Sequence, residues 1–133
     1  MHKLEVSTRA HSEFHEITDE VQALVAKAKI SSGLAHVYVP HTTAGLTINE
    51  NADPDVKADM LKSLEQMVPW NQPHFQHAEG NSAAHIKASM MGFNITVFIE
   101  NGSLALGMWQ GIYLCEFDGP RTRQVWVKLV SGS

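Results

Sequence analysis

From Phe93 onward the chain alternates runs of β-branched and aromatic residues with short polar breaks: FNITVFI, ENGS, LALGMWQGIYLCEF, DGPRT and RQVWVKLV. β-Branched and aromatic side chains suit a pleated, half-buried surface, and Asn-Gly and Asp-Gly are dipeptides that reverse a strand tightly. This stretch is therefore expected to form consecutive antiparallel strands joined by tight turns, and the rest of the chain must cover what they leave apolar.

Upstream, KLEVSTR alternates Leu4, Val6 and Thr8 with polar partners, which predicts an amphipathic strand. Thr18 followed by Asp19 and Glu20 predicts a helix start, with Val21, Leu24 and Val25 on one face as far as about Ile30. Ser31-Ser32-Gly33 ends it. LAHVYVP and GLTINE are strand-like, and the HTTA between them is a turn or bulge. Asp53-Pro54 reads as helix cap and first helical residue, followed by a core stripe of Val56, Met60, Leu61, Leu64 and Met67 that Pro69 closes. Trp70 to Gln76 is a proline-containing loop, and a short helix runs from Ser82 or Ala83 to Met91, ended by Gly92. The expected fold is α+β over residues 1–133 as a single domain: mainly an antiparallel twisted sheet or sandwich, with two longer helices and one short helix on one side.

Composition narrows the function classes. A chain of 133 residues with 44% hydrophobic content can bury a core without staples, and its net charge of -4 leaves no basic stripe for nucleic acid or a membrane surface. No apolar run approaches the roughly 20 residues of a membrane helix. The start, MHKLEVSTRAH, has no hydrophobic signal region, so a cytoplasmic location is expected. The single cysteine, Cys115, lies in the apolar run GIYLCEF and reads as a buried, inert thiol.

The chemistry concentrates in two polar, aperiodic stretches, HTTAGLTINENADPD and HAEGNSAAHIK, which carry His41, His77 and His85. Around them stand groups able to orient an imidazole or a bound water: Thr42, Thr43, Asn49, Glu50, Asp53, Glu79, Asn81 and Ser82. On one unbroken helix His77 and His85 would be separated by about 12 Å of rise, too far for one ion at about 2 Å from each nitrogen. Gly80-Asn81 removes that objection by letting His77 lie on a loop that folds back toward His85, with His41 arriving from the HTTA turn. Three imidazoles with an open fourth position make a catalytic-type zinc site, supported by Glu50, Asp53 or Glu79. Three ordinary loop histidines are the competing reading. His2, His11, His15, His36 and His74 read as surface or satisfied histidines. Arg121 and Arg123 follow the DGP turn and, with Lys87, form a candidate clamp for a phosphate or carboxylate; solvated edge charges are the alternative. Trp109-Gln110 between Gly107 and Gly111 would let another backbone approach, as at a subunit interface or a ligand wall.

The strings GLAHVYVPHTTAGLTINENADPDV, HAEGNSAAHIKASMMG and LALGMWQGIYLCEFDGPRTR resemble the signature segments of the YjbQ family, described as secondary thiamine-phosphate synthase enzymes. The resemblance runs from about His11 to Leu129. It implies a small α+β homotrimer with metal sites near its subunit interfaces. It carries the family's histidines onto His41, His77 and His85, its acidic and amide residues onto Asn49, Glu50 and Asp53 as catalytic groups, and its late arginine onto Arg123. The stretch after His77 varies in such proteins, so Glu79, Asn81 and Ser82 rest on the resemblance least. The implied reaction joins hydroxymethylpyrimidine pyrophosphate to thiazole phosphate and releases pyrophosphate. Lys87, Arg121 and Arg123 would neutralise the phosphates, alongside Thr42, Thr43, Asn81 and Gln110 as substrate contacts. Three imidazoles favour zinc, whereas pyrophosphate departure usually recruits magnesium on oxygen ligands, and no P-loop is present. A metal-dependent hydrolase of a small phosphorylated or acyl substrate, or a non-catalytic metal- or metabolite-binding trimer, therefore stand as alternatives.

Overall fold

The alternating N-terminal residues form β1 (His2–Ser7), and a short strand that periodicity did not announce, β2 (Glu13–Glu16), leads into α1 (Thr18–Ala28). β3 (Gly33–Tyr38) and β4 (Ala44–Glu50) follow, then α2 (Pro54–Met67), α3 (Ser82–Met91), β5 (Asn94–Glu100), β6 (Ser103–Leu104), β7 (Gln110–Glu116) and β8 (Thr122–Ser131). This computed structural model describes residues 1–133. The α+β class is as expected, and the helix boundaries fall close to the expected ones.

Pairing of the C-terminal strands is not sequential. The sheets are β1-β8-β3-β5-β6 and β2-β7-β4, all pairs antiparallel. The ENGS turn does form a hairpin, with Asn101 and Gly102 both at positive φ (52° and 77°), the signature of a tight primed turn. The apolar run after it, however, is two strands in different sheets. β6 is a two-residue edge, and β7 crosses to the centre of the three-stranded sheet. Burial explains the crossing: every residue from Gly111 to Glu116 is buried, so both faces of β7 need cover. Ile112 and Leu114 face a core shared with Val6, Val37, Leu46, Val125 and Val127, while Tyr113 and Cys115 pack with Phe14, Leu64, Ala84 and Ala88. The three-stranded sheet is thus the middle layer, with the five-stranded sheet on one side and α2 and α3 on the other.

Helices on one side hold for α2 and α3 only. Val21 of α1 joins the core between the sheets, and its Val25 packs on Ala35 and Ile99 of the five-stranded sheet. α1 starts at Thr18 as expected, with Ile17 as the residue before its first turn; the Thr18 hydroxyl donates to Glu16 Oε2 (2.8 Å) and accepts from the Ile112 amide (2.9 Å), tying the helix start to β7. Asp53 and Pro54 behave as expected, the Asp53 carboxylate accepting from the Asp55 amide at 2.9 Å. Of the stripe on α2, Leu64 is buried, but Met67, in the last turn, is 64% exposed and not core. Cys115 is buried, and desolvation pushes its thiol far above the ordinary range, so it is inert.

One close approach positions the site. A Cβ on Gly45 would meet Gly92 O at 2.8 Å and Met91 Cβ at 2.9 Å, so only glycine lets the end of α3 lie directly on β4. The Leu46 amide then bonds Gly92 O (3.0 Å) and the Val39 amide bonds Phe93 O (2.9 Å), which clamps α3 beside the connection that carries His41.

Candidate functional site

Residues 39–43 leave the five-stranded sheet and enter the three-stranded one. In crossing, they hold His41 over β8, where its Nε2 accepts from the Gln124 amide at 2.9 Å. A backbone N–H can only donate, so the bonded nitrogen is unprotonated and the neutral ring carries its proton on Nδ1. Burial, followed by the charge of Arg123, lowers the pKa of His41 below the ordinary histidine value; the Glu116 carboxylate opposes them without prevailing. His85 sits in the first turn of α3. Just before that helix, Gly80 at φ 73° closes a turn in which its amide bonds His77 O (3.1 Å). The chain folds back, and the His77 and His85 rings stand 5.6 Å apart between centroids, at 83° to one another.

These elements line one solvent-open cavity of about 740 Å³. His41, His77, His85, Glu79, Thr42 and Arg121 line it, together with the aromatic rings of Tyr38, Phe93 and Trp126. Its floor is a buried ion pair. Arg123 Nε donates to Glu116 Oε1 (2.9 Å), a terminal nitrogen donates to Glu116 Oε2, and the same nitrogen reaches Thr43 Oγ1 (2.8 Å). Thr8 Oγ1 and the Asp118 amide complete the Glu116 shell at 2.8 and 3.0 Å. Burial alone would raise the Glu116 pKa, but the hydrogen bonds from Arg123, Asp118 and Thr8 outweigh it and hold the carboxyl below its usual range. Arg121 is different. Its side chain is half exposed, steadied by Asp118 through Nε to the backbone oxygen (2.9 Å) and a terminal nitrogen to Oδ2 (3.1 Å). Asp118 Oδ2 also accepts from Asn81 Nδ2 (2.9 Å), leaving the buried Asn81 Oδ1 without a partner.

Other expected site residues lie elsewhere in the chain. Lys87 is 1% exposed and its Nζ is bound to Glu65 Oε2 at 2.8 Å, so it ties α3 to α2 and does not reach the cavity. Asn49 and Glu50 are the last two residues of β4, Glu50 lying opposite Gln110 on β7, and Asp53 follows just beyond that far end. Seven residues of strand span about 20 Å, so within one chain these groups do not meet the histidines. They are instead bonded locally: Glu50 Oε2 accepts from the Asp53 amide (3.2 Å), Asn49 Oδ1 from the Glu50 amide (2.7 Å) and Gln110 Oε1 from the Gly107 amide (2.7 Å). Nor do three or more His, Cys, Asp or Glu side chains converge as a metal-holding group. His77 and His85 pair, while His41 Nε2 is committed to Gln124. Sequence reasoning missed Tyr38, Phe93, Trp126, Asp118 and Glu116. The outward alternation of Tyr38 and Trp126 on their strands was a usable signal; the pairing of Glu116 with Arg123 had none.

A two-sheet α+β domain with a histidine- and arginine-lined cavity at one end of its middle layer is thus defined. The sequence model of the family "UPF0047 protein YjbQ-like" matches residues 2–132, and the chain belongs to that family. It is 53% identical to UPF0047 protein YugU of Bacillus subtilis over 96% of each chain, and 47% identical to a UPF0047 protein of Methanocaldococcus jannaschii over 96% of this chain and 92% of that one. A crystal structure of a YjbQ/UPF0047 family protein from Clostridium acetobutylicum superposes with a TM-score of 0.95 at 50% identity, covering 98% of this chain and 100% of that one.

Proposed function

We propose that the cavity binds a small phosphorylated substrate and carries out thiamine-phosphate synthase-like chemistry, joining hydroxymethylpyrimidine pyrophosphate to thiazole phosphate. The observation that carries this reading is the set of donors gathered in one cavity: the half-exposed Arg121, the neutral His41, and the two further imidazoles. Arg121 would bind the pyrophosphate and neutralise charge as it departs. His41, with its proton on Nδ1, would offer a hydrogen bond to a leaving oxygen without giving up that proton, since its Nε2 is held by the Gln124 amide. Thr42 would add a hydroxyl donor, and Arg123 would act through the floor by keeping Thr43 in place.

The residues present fit a divalent metal in part. The 5.6 Å separation and near-perpendicular setting of the His77 and His85 rings are compatible with both nitrogens meeting one ion at about 2 Å, and substrate oxygens would fill the remaining positions, since no third side chain converges on the pair. Imidazole donors favour zinc over magnesium, because Asp118 is already spent on Arg121 and Asn81. When bound, such an ion would polarise a phosphate oxygen.

Glu79 favours a second enzymatic reading. It is a cavity carboxylate with no hydrogen-bond partner and would serve as the base for a metal-dependent hydrolase of a small phosphorylated or acyl substrate. A homotrimer is proposed as the assembly, on the support of the protruding Met108 and Trp109 (85% and 59% exposed), an apolar pair suited to a subunit contact. Such an assembly could also bring Glu50 and Asp53 of one copy toward another copy's cavity.

The test is thiamine phosphate formation by purified, metal-analysed protein beside His41→Ala and His85→Ala. Product that is lost in both variants supports the synthase. Hydrolysis without condensation moves the assignment to the hydrolase, and metal retention with neither reaction moves it to a binding protein.

A further inference from the structure

Residues 68–81, between α2 and α3, form no helix or strand of their own, and connections of that length in a compact domain are usually lids, binding loops or linkers. The attachment of this one is slight. No residue within 69–80 is buried. Its three hydrogen bonds all close within the segment: the Phe75 amide to Gln72 O (3.1 Å), Gln72 Nε2 to Pro69 O (3.2 Å) and the Gly80 amide to His77 O (3.1 Å). Its arch also holds a hollow of about 440 Å³ lined by residues of the segment alone. The two ends are held differently. Trp70 packs against the core cluster of Phe14, Leu64 and Phe117, and its ring meets that of His11 edge-on at 4.4 Å. At the other end, Gly80 takes a left-handed φ of 73°, and the buried Asn81 beside it is tied to Asp118 through Nδ2, with Oδ1 left as an acceptor in reserve at the pivot. A segment with few buried contacts and few hydrogen bonds to the body opens at little cost in free energy. Yet this one supplies His77 and Glu79 to the cavity wall.

We propose that residues 71–79 are a lid, pivoting at Trp70 and Gly80, that closes over the mouth of the cavity when a ligand occupies it and brings His77 and Glu79 onto that ligand. The closing step rests on the reading of the cavity as a site for phosphates or a metal ion, and adds to it how the site is shut. In the open form both side chains are exposed and unbonded, so they gain partners only on closure. Closure also excludes water. Water is the nucleophile that competes with condensation, so a lid that keeps it out favours the joining of two substrates over hydrolysis of one. A ligand that binds the closed form alone holds the lid shut by mass action, and at about ten times its Kd the open population falls about tenfold.

Limited chymotrypsin digestion of the full chain, followed by mass spectrometry, tests this, because cleavage after Phe75 tracks the population in which the segment is lifted free. Without ligand, that cut should precede all others. Inorganic pyrophosphate at about ten times the Kd found by calorimetry should slow it about tenfold, at concentrations that leave the cleavage of casein unchanged. Zinc alone should slow it likewise through His77 and His85, and should no longer do so in His85→Ala. His77→Ala, a substitution at an exposed loop position, should be cut at the wild-type rate when free and lose the protection, while pyrophosphate still binds through Arg121. Pyrophosphate that binds without slowing the cut overturns the lid and leaves the phosphate site standing. Protection by zinc with no calorimetric binding of pyrophosphate upholds the lid and overturns the phosphate reading. A cut that neither probe slows, or a segment cut no more readily than the rest of the ligand-free chain, overturns the lid. Protection that survives His77→Ala overturns the part given to that ring.

Discussion

The two ends of β4 carry similar polar residues and treat them in opposite ways. At the Glu50 end, side chains are consumed by neighbours: Asn51 Nδ2 and Thr18 Oγ1 both donate to Glu16 Oε2 (3.0 and 2.8 Å), Asp53 caps α2, and Gln110 closes its own turn. At the Thr43 end, the groups facing the cavity, namely His77, His85, Glu79 and Thr42, make no side-chain hydrogen bond, while the groups beneath them are bonded heavily. The first pattern terminates strands and starts a helix. The second is that of a site, in which a rigid, satisfied floor supports functional groups kept free for a ligand.

Removing the floor should have the largest effect. Arg123→Ala leaves Glu116 charged and buried without its partner, and should cost about 3–5 kcal/mol, read as a lowered midpoint in urea unfolding; an unchanged midpoint would deny the floor its role. Activity separates the ends next. His41→Ala should lower turnover by roughly 10²–10³-fold through loss of a donor to the leaving oxygen, whereas Glu50→Gln should change it little in the single-chain arrangement. If Glu50→Gln is the more damaging, the contrast breaks, and a neighbouring copy must bring that end of β4 to the histidines. Asp53→Ala should cost about 1 kcal/mol of stability through the lost cap and leave ligand affinity as it was.

The smallest expected effect is on acid stability. Glu116 has a lowered pKa when folded, so the unfolded chain binds its proton first. The stability it contributes is present above the ordinary glutamate range and fades as the pH falls through the lower, folded value. His41 is also lowered and acts with the same sign, beginning nearer the ordinary histidine range. Stability should therefore decline on acidification in two stages, and Glu116→Gln should remove the later one. An NMR titration should find the His41 ring protonating at lower pH than a histidine in a short peptide.

Much of the fold was legible because it is local. Alternation at Leu4 and Val6, the Asp53-Pro54 start and the Asn101-Gly102 reversal each concern residues within a few positions of one another, where propensity and hydrogen bonding act directly. β2 was not legible: four residues, EFHE, are too few for periodicity to register. Nor was the fate of β7. Its continuous apolar pattern was compatible with any well-covered strand, and only the competition among layers put it between β2 and β4.

The site divides along the same line. Composition and residue type by themselves determined that His41, His77, His85 and the late arginines are the chemically capable groups, and that a glycine break must precede the last histidine for the rings to meet. Tertiary structure alone decided which are available. It buried Lys87 against Glu65 and Arg123 against Glu116, left Arg121 half free, fixed the His41 tautomer through a backbone amide 83 residues away in sequence, and set Tyr38 beside Trp126. The reason is physical: a side chain's charge and donors belong to its covalent structure, whereas its desolvation and its partners are set by whatever distant chain the sheets bring against it.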